Sequence, residues 1–490
     1  DLMSYPLLTI TIFLPLAGAL LLQFIPRSQA NVIRTIALLI ALADLALGIP
    51  ILTNYHLGQA GMQLVEKVSW IPSLGISYFV GLDGLSLPLY EMTLLLMVVS
   101  VLASWSIKDR VREHYSMLLL LAVGMLGTFA ALDFILFYIF WELVLIPMYF
   151  IIGIWGGENR TYAAVKFFLY TLAGSVLMLV GILALYFTSG LNTFDMVKLM
   201  EAGYHHYLAT FIFITFFFGF AIKVPMWPFH TWLPDAHVQA PTAGSVLLAG
   251  VLLKMGTYAF VRIIVQILPG EFTKFAPYIA LLAIISIVYG AYIALAQKDL
   301  KKMVAYSSVS HMGYVMLGIA ALTPVALNGA ILQMINHGLI TGMLFLLVGY
   351  IYERTHTRDI SKLGGISVKI PVLGGMFVFA ALASLGLPGL SGFVGELLIL
   401  LGSYTAYQIY TILAVFTLAL TAFYLIRANQ NAIFGIPKMA MDDFKDANAR
   451  EFFSMIPLVI FIVLIGIYPK PFLNYIDPAV NTVLQIIRGS

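Results

Sequence analysis

Charge is scarce in this sequence. Only 10% of its 490 residues are Asp, Glu, Lys or Arg, whereas soluble globular chains carry about 25% charged residues. Hydrophobic residues make up 61% of the chain, which is more apolar side chain than a water-soluble fold of this length can bury. The composition therefore excludes a soluble globular enzyme and indicates a membrane protein.

Cysteine is absent altogether. This absence excludes disulfides, thiolate nucleophiles and Cys-ligated iron–sulfur clusters. The net charge of +3 is too small to imply a nucleic-acid partner. The sequence also lacks a Walker A loop, a dinucleotide-binding fingerprint and the paired histidines of a haem-binding helix bundle, so it offers no visible site for ATP, NADH or haem.

Long continuous apolar runs are what the sequence does contain. A transmembrane helix needs about 20 apolar residues, so the apolar content suffices for roughly fourteen spans. The runs do not alternate as the strands of a membrane β-barrel do, so the expected fold class is an all-α polytopic membrane protein. Hydropathy places the spans at 5–25, 32–52, 84–106, 115–132, 134–154, 163–188, 207–236, 241–265, 276–297, 303–321, 324–351, 371–402, 404–433 and 453–469. The longest polar connectors are 53–83, 189–206, 352–370 and 434–452.

Lys and Arg are unevenly distributed among the connectors. Loops after odd-numbered spans hold 17 of these residues, and loops after even-numbered spans hold four, namely Lys67, Lys198, Arg262 and Lys274. Because basic loops remain on the cytoplasmic side, the odd-span loops, including the basic segment 298–302, are predicted to be cytoplasmic anchors. Both termini are then predicted to lie on the outer side.

Two predicted spans, the seventh and the twelfth, are unusually long and interrupted. The interrupting residues are Pro225, Pro228 and Pro234 in span 7, and Gly386, Pro388, Gly389 and Gly392 in span 12. Proline removes a backbone donor, and inside a membrane the freed carbonyls need protein or water as partners. Paired breaks indicate a transport pathway near the midplane. Their spacing predicts two five-helix repeats, 115–265 and 276–433, between the segments 1–114 and 434–490.

Ionisable residues inside the spans carry the functional hypothesis, since each is costly in hydrocarbon. Lys223 lies at the break of span 7, and Lys254 lies near the centre of span 8. Glu142, central in span 5, is the natural counter-ion of such a lysine, and Glu396 follows the break of span 12. A buried lysine can change its protonation when its partner moves. The alternative is a structural role, in which these charges only hold helices together.

Four histidines could relay protons, because histidine titrates near neutrality. His230 and His237 flank the break of span 7, while His311 and His337 lie in spans 10 and 11. Each is equally compatible with a packing role. None has the context of a metal ligand, so no metal site is predicted.

Three other charged residues have less defined positions. Lys166, in span 6, either joins the relay near Glu142 or lies close to the membrane interface. Asp133, in a very short connection, is predicted to be an exposed helix cap. Asp44 is predicted to be peripheral.

The run from 223 to 242, KVPMWPFHTWLPDAHVQAPT, resembles the proton-translocating membrane subunits of respiratory complex I (NADH:quinone oxidoreductase). So do Trp141-Glu142-Leu143, YSSVSHMG at 306–313 and LSGFVGE at 390–396. The resemblance covers nearly the whole chain and favours the M type among the three antiporter-like subunits. It implies fourteen helices, with helices 4–8 and 9–13 as inverted repeats and helices 7 and 12 broken.

The resemblance also implies roles for individual residues. Glu142 looks like the helix-5 glutamate that pairs with the helix-7 lysine, here Lys223, and Lys254 looks like the central helix-8 lysine. The remaining matches are His311 and His337, which look like the central-axis histidines, and Glu396, which looks like the helix-12 group. In L- and N-type subunits that last group is usually lysine. His230 and Lys166 complete the candidate proton relay.

A subunit of this kind is expected to bind no cofactor itself. FMN, iron–sulfur clusters and quinone would belong to partner subunits. The implied partners are L- and N-type and smaller membrane subunits, the peripheral redox arm, and the lipid of a bacterial inner membrane. Two alternatives remain: an Mrp-type cation/proton antiporter subunit, which usually differs in the linker 232–237, and a membrane scaffold.

Overall fold

Helices account for most of residues 5–490, the part of the chain that the computed structural model describes. The elements run in chain order as α1 (Leu7–Leu22), α2 (Ala30–Thr53), β1 (Gln63–Ile71), β2 (Ile76–Leu82), α3 (Leu87–Ala103), α4 (Val111–Ala130), α5 (Phe134–Trp155), α6 (Arg160–Ser189), α7 (Met196–Ala202), α8 (Ala209–Lys223), α9 (Trp232–Gln239), α10 (Thr242–Val265), α11 (Pro269–Leu295), α12 (Leu300–Ala321), α13 (Pro324–Thr355), α14 (Pro371–Leu385), α15 (Ser391–Tyr404), α16 (Gln408–Ala428), α17 (Ala449–Ile467) and α18 (Lys470–Arg488). Helix α10 contains two π-helical segments, Leu248–Leu252 and Phe260–Val265.

Ten of these helices are long and apolar enough to cross a membrane: α2 to α6, α10, α11, α13, α16 and α17. The shorter apolar helices α1, α8, α14 and α15, together with the more polar α12, account for the other predicted spans. The prediction of an all-α polytopic membrane protein is therefore confirmed. The division into two inverted repeats stays a prediction.

Both long predicted spans are broken at their proline and glycine residues. Helix α8 ends at Lys223, and α9 begins at Trp232 after the proline-containing segment. The carbonyl oxygen of Ile222, freed by this break, accepts a hydrogen bond from Trp232 Nε1 at 2.9 Å. Helix α14 ends before Gly386, whose φ of 91° is left-handed and favours glycine. The carbonyl oxygen of Ile222 thus has a partner within the protein, as hydrocarbon requires.

The connector 53–83 contains structure that the sequence did not predict. Strands β1 and β2 form an antiparallel hairpin, and the surface that carries it is called the hairpin face below. Lys67 Nζ lies 2.9 Å from Asp195 Oδ2, and the backbone N–H of Ser77 donates to Asp133 Oδ2 at 3.0 Å. Asp133 also caps α5, as predicted, but only 1% of it is exposed. Burial raises the pKa of Asp133 to about 6, although three backbone N–H donors oppose this.

The C-terminal segment contains, after the last predicted span, the amphipathic helix α18. The apolar side of α18, including Ile476, Val480 and Val483, is buried and packs chiefly on α13. A Cβ added at Gly84 would lie 2.0 Å from the backbone oxygen of Tyr475. The chain that precedes α3 therefore passes directly against α18 and allows no side chain there.

Three charged residues lie deeper than predicted. Arg262, counted above among loop residues, is part of α10, fully buried and paired with Asp83. Asp44 is only 3% exposed rather than peripheral. Lys301, expected in a cytoplasmic anchor, is buried and donates from Nζ to the carbonyl oxygen of Ala240 at 2.7 Å. Hydropathy averaging treats a charge near the end of a span as a loop residue, which explains the misplacement of Arg262.

Gly256 determines how closely α10 approaches the break of span 7. A Cβ at this position would lie 2.8 Å from the backbone nitrogen of Val224 and 3.1 Å from Cβ of Lys223. We expect Gly256→Ala to lower stability by about 1–3 kcal/mol, because the end of α8 must move away. Thermal unfolding of the purified complex measures this loss. Gly270→Ala is the matched control, since its Cβ meets nothing within 4 Å; equal melting temperatures for the two variants would contradict the prediction.

Candidate functional site

Lys223 is the last residue of α8 and is 2% exposed. Its Nζ lies 5.1 Å from the centroid of the Trp141 ring, a distance at which an ammonium is attracted to an aromatic face. Glu142, the predicted counter-ion, follows Trp141 in α5. Within residues 5–490 the ion pairs shorter than 4.0 Å do not include Lys223 with Glu142. The structure thus places Lys223 against the residue next to Glu142 without forming the predicted contact.

Lys254 is fully buried between the two π-helical segments of α10. Its Nζ contacts the carbonyl oxygen of Ala249 and lies 2.5 Å from Nδ1 of His337, on α13. In the described part of the chain, no Asp or Glu forms an ion pair with Lys254. An imidazole nitrogen without a proton accepts a hydrogen bond from an ammonium. Lys254 Nζ and His337 Nδ1 are therefore within direct hydrogen-bond reach of each other.

The polar contacts continue from His337 to Glu396. The rings of His337 and His311 have centroids 5.9 Å apart. Both rings and Ser384 line a cavity of about 10 Å³, close to the smallest volume that holds one water molecule. His311 Nδ1 then lies 3.6 Å from Glu396 Oε1, and both side chains are buried. Lys254, His337, His311 and Glu396 form what we call the polar file.

Contacts with α13 hold the start of α15, just after the break of span 12, and so position Glu396. Asn336, next to His337, donates from Nδ2 to the carbonyl oxygen of Ser391 at 2.8 Å. A Cβ at Gly395 would lie 2.0 Å from Oε1 of Gln333, which also belongs to α13. The first turn of α15 is thus held against the polar side of α13. This close packing of α15 on α13 places Glu396 opposite His311.

His230 and Lys166 do not join the polar file through any hydrogen bond or ion pair of the described residues. Lys166 Nζ lies 2.7 Å from Asp235 Oδ2, and these side chains are 22% and 37% exposed. His230 Nε2 lies 3.3 Å from the hydroxyl of Tyr289. The two predicted relay residues therefore belong to a second cluster, beside α9. Of the two locations left open for Lys166, the contacts favour the one away from Glu142.

Three further residues on or against the helix of Lys254 had no predicted role in the site. Tyr258 and Arg262 follow Lys254 at intervals of four in α10, and Arg262 forms a buried ion pair with Asp83. The spacing itself was a usable signal, because residues four apart share one face of a helix. Asp83 gave no such signal, since it lies far away in the chain.

The side chains of the polar file can exchange protons, and little else. Lysine, histidine and glutamate gain and lose protons, and none of these four is an activated nucleophile. Between residues 5 and 490, no group of three or more His, Asp or Glu side chains is arranged to hold a metal ion. The arrangement is suited to moving protons between groups buried in the membrane.

A family model and a relative of known identity both match most of this chain. Residues 131–421 match the model of a family described as NADH:quinone oxidoreductase/Mrp antiporter, transmembrane. NADH-quinone oxidoreductase subunit M from Rickettsia bellii is 42% identical over 491 residues, covering 98% of this chain and 99% of the relative.

Solved structures resemble the whole chain as well. A chain of respiratory complex I from Thermus thermophilus, solved with bound NADH, has a TM-score of 0.90 and 32% identity, covering 98% of this chain and 99% of that one. A chain of the Mrp complex from Dietzia sp. DQ12-45-1b has a TM-score of 0.83 and 20% identity, with coverage of 99% and 98%. At that identity the Mrp likeness concerns the fold alone.

Proposed function

Because the chain belongs to the NADH:quinone oxidoreductase/Mrp antiporter membrane family, and within it to the M subunits of NADH-quinone oxidoreductase, we propose that its polar file is the path of the protons that it translocates. The chain is a proton-translocating membrane subunit of complex I. The redox chemistry of the complex, from NADH to quinone, takes place in partner subunits under this proposal. Lys223 and Glu142 control the supply of protons to the file.

The observation that carries the proposal is the contact between Lys254 and His337. The fully buried amino group of Lys254 has a histidine nitrogen at 2.5 Å and no carboxylate partner within the described residues. A lysine that only held helices together would be expected to pair with a buried carboxylate. The lack of such a partner favours transfer of its proton over permanent pairing.

In the proposed cycle, Glu142 stabilises the protonated form of Lys223 when the two approach each other. When they separate, Lys223 releases its proton towards Lys254, because an isolated charge is unfavourable in a buried position. Lys254 Nζ passes the proton to Nδ1 of His337. Transfer to His311 needs a bridging water, since the two rings are 5.9 Å apart, and Glu396 then takes the proton from His311.

The cycle places the chain in a larger assembly. Its proposed neighbours are L- and N-type antiporter-like subunits, smaller membrane subunits and the peripheral arm with FMN and iron–sulfur clusters, in a bacterial inner membrane. The asymmetry of basic loops supports both termini on the outer side. Co-isolation of this chain with flavin-containing and iron–sulfur subunits tests the assembly. Isolation with small antiporter subunits alone would contradict it.

Glu396 is the terminal acceptor of the polar file, so Glu396→Gln is expected to block it. The amide keeps the size of the side chain but cannot accept the proton. We expect translocation through this subunit to fall by about tenfold or more, which corresponds to at least about 1.4 kcal/mol. NADH-driven acidification of vesicles that contain the purified complex measures the loss.

The matched control for Glu396→Gln is Glu91→Gln. Glu91 is also a largely buried carboxyl group with an unpaired Oε1 in the described chain, but it lies on α3, outside the polar file. The control variant is expected to keep the wild-type ratio of protons to electrons. Equal ratios in both variants would remove Glu396 from the path.

A further inference from the structure

The helix that carries Lys254 has a line of polar residues that leads away from the polar file. Lys254, Tyr258, Arg262 and Gln266 follow each other at intervals of four, and each is no more than 5% exposed. Side chains at this spacing lie above one another on a helix. The line therefore extends from Lys254 to the end of α10 on the hairpin face.

Specific contacts join the outer part of this line. Arg262 Nε donates to the hydroxyl of Tyr258 at 2.9 Å, and that hydroxyl donates to the carbonyl oxygen of Phe129 at 3.1 Å. Arg262 also forms a two-pronged ion pair with Asp83, in which Nη1 lies 2.9 Å from Oδ2 and Nη2 contacts Oδ1. Asp83 is held in turn by the backbone N–H of Leu85, at 3.0 Å from Oδ1. Each member of this ion pair is therefore held by a further hydrogen bond, Arg262 by Tyr258 and Asp83 by Leu85.

Beyond the ion pair, the structure is open. Asp83 and Gln266 line a groove of about 700 Å³ on the hairpin face. The groove is bounded by the hairpin, by α7 and by α18, through residues that include Val65, Glu201 and Gln485. The ion pair of Arg262 with Asp83 thus lies between a buried, proton-carrying lysine and an open groove.

We propose that Tyr258, Arg262 and Asp83 form a gate that closes a proton outlet between Lys254 and the groove. This proposal rests on the function proposed above, because the gate matters only if Lys254 carries a proton. Arginine does not release its proton in proteins, so a proton cannot pass through Arg262 itself. Its fixed positive charge also repels a proton that approaches from the groove.

Opening requires only that Asp83 and Arg262 separate. The gate stays closed while Lys254 passes its proton to His337. When it opens, a proton still held by Lys254 crosses the gap through water beside Tyr258, and the carboxylate of Asp83 accepts it at the edge of the groove. In this step Lys254 becomes a neutral amine and Asp83 a neutral carboxylic acid, while Arg262 keeps all its protons, so the net charge does not change. In the closed state the same pair prevents protons from returning to Lys254.

The test is the passive proton permeability of vesicles that contain the whole complex, with a pH gradient imposed and no NADH added. Arg262→Gln is expected to dissipate the gradient about tenfold faster or more, because the electrostatic barrier is lost. The double variant Arg262→Gln/Lys254→Ala is expected to be tight again, because the leak passes through Lys254.

Arg354→Gln is the matched control. It breaks the partly buried, two-pronged ion pair of Arg354 with Glu451, which lies outside this line, and its vesicles are expected to remain tight.

Tyr258→Phe is a second test of the gate, to be used if the Arg262→Gln variant does not assemble into the complex. It removes one oxygen atom, keeps the ring, and is expected to increase the leak about twofold or more. Tight vesicles with Arg262→Gln, or with Tyr258→Phe where only that variant assembles, would overturn the gate. So would a leak that persists in the double variant. If Lys254→Ala alone abolishes NADH-driven pumping while Arg262→Gln is tight, only the gate fails and the proposed function stands.

Discussion

Replacement of Lys254 by alanine is expected to abolish proton translocation through this subunit while electron transfer in the assembled complex continues. Lys254 is the donor at 2.5 Å from His337, so its loss leaves the polar file without a proton source. A positioned proton donor contributes about 10²–10⁴-fold to a rate, and we expect translocation to fall by that factor. The measurement is vesicle acidification per NADH oxidised, with the oxidation rate recorded again after addition of an uncoupler.

A second buried lysine provides the control for Lys254→Ala. Lys301 is 7% exposed and donates to a backbone carbonyl oxygen outside the polar file. Lys301→Ala is expected to cost stability but to keep the wild-type number of protons per electron. If both variants pump normally, Lys254 has a structural role, and the scaffold alternative gains support.

Neutralising Glu142 is expected to have the second largest effect. In the proposed cycle, the approach of Glu142 charges Lys223 and its departure discharges it, so Glu142→Gln stops the supply of protons to Lys254. We expect translocation to fall by about 10²-fold or more. Glu142→Asp keeps the charge on a shorter side chain and is expected to recover part of the activity. Vesicle acidification driven by NADH again measures the outcome.

The interaction between Glu142 and Lys223 can be separated from their individual roles. If the two residues act as one unit, the double variant Glu142→Gln/Lys223→Gln loses no more activity than either single variant. The corresponding coupling energy is about 1–3 kcal/mol. Losses that simply multiply in the double variant would show that the two residues act independently, and the first step of the cycle would then be wrong.

Much of the architecture followed from simple features of the sequence. The continuous apolar runs predicted the membrane spans, because a chain that crosses the hydrocarbon core without forming a barrel must be helical. The prolines and glycines within two of these runs predicted both breaks. The same scarcity of charge made Lys223 and Lys254 conspicuous, because a rare buried charge demands an explanation. The resemblance then assigned His337 and His311 to the path, and the structure places both between Lys254 and Glu396.

What escaped prediction depends on contacts between distant parts of the chain. Asp83 pairs with Arg262 across 179 positions, and no local pattern encodes such a partner. Lys166 pairs with Asp235, 69 positions away, and no local pattern encodes this partner either. One of the two interpretations therefore placed Lys166 in the relay near Glu142. The hairpin 63–82 was missed because its strands, of 9 and 7 residues, are too short to register as membrane-spanning helices.

The separation of Glu142 from Lys223 was equally unpredictable. The sequence places Lys223 and Glu142 near the middle of their spans, but it does not determine whether the two side chains are in contact. In the structure the lysine instead contacts the ring of Trp141. No ion pair within 4.0 Å joins Lys223 to Glu142 among the described residues.

The central claim is that Lys254 releases a proton in every cycle, and the proton-to-electron ratio of Lys254→Arg tests it most directly. Arginine keeps the positive charge and most of the volume, but it does not give up its proton. Vesicles that contain this variant are therefore predicted to translocate fewer protons per electron than the wild type, by the entire share of this subunit. A wild-type ratio in Lys254→Arg would contradict the account, because it would mean that a fixed charge at this position is sufficient.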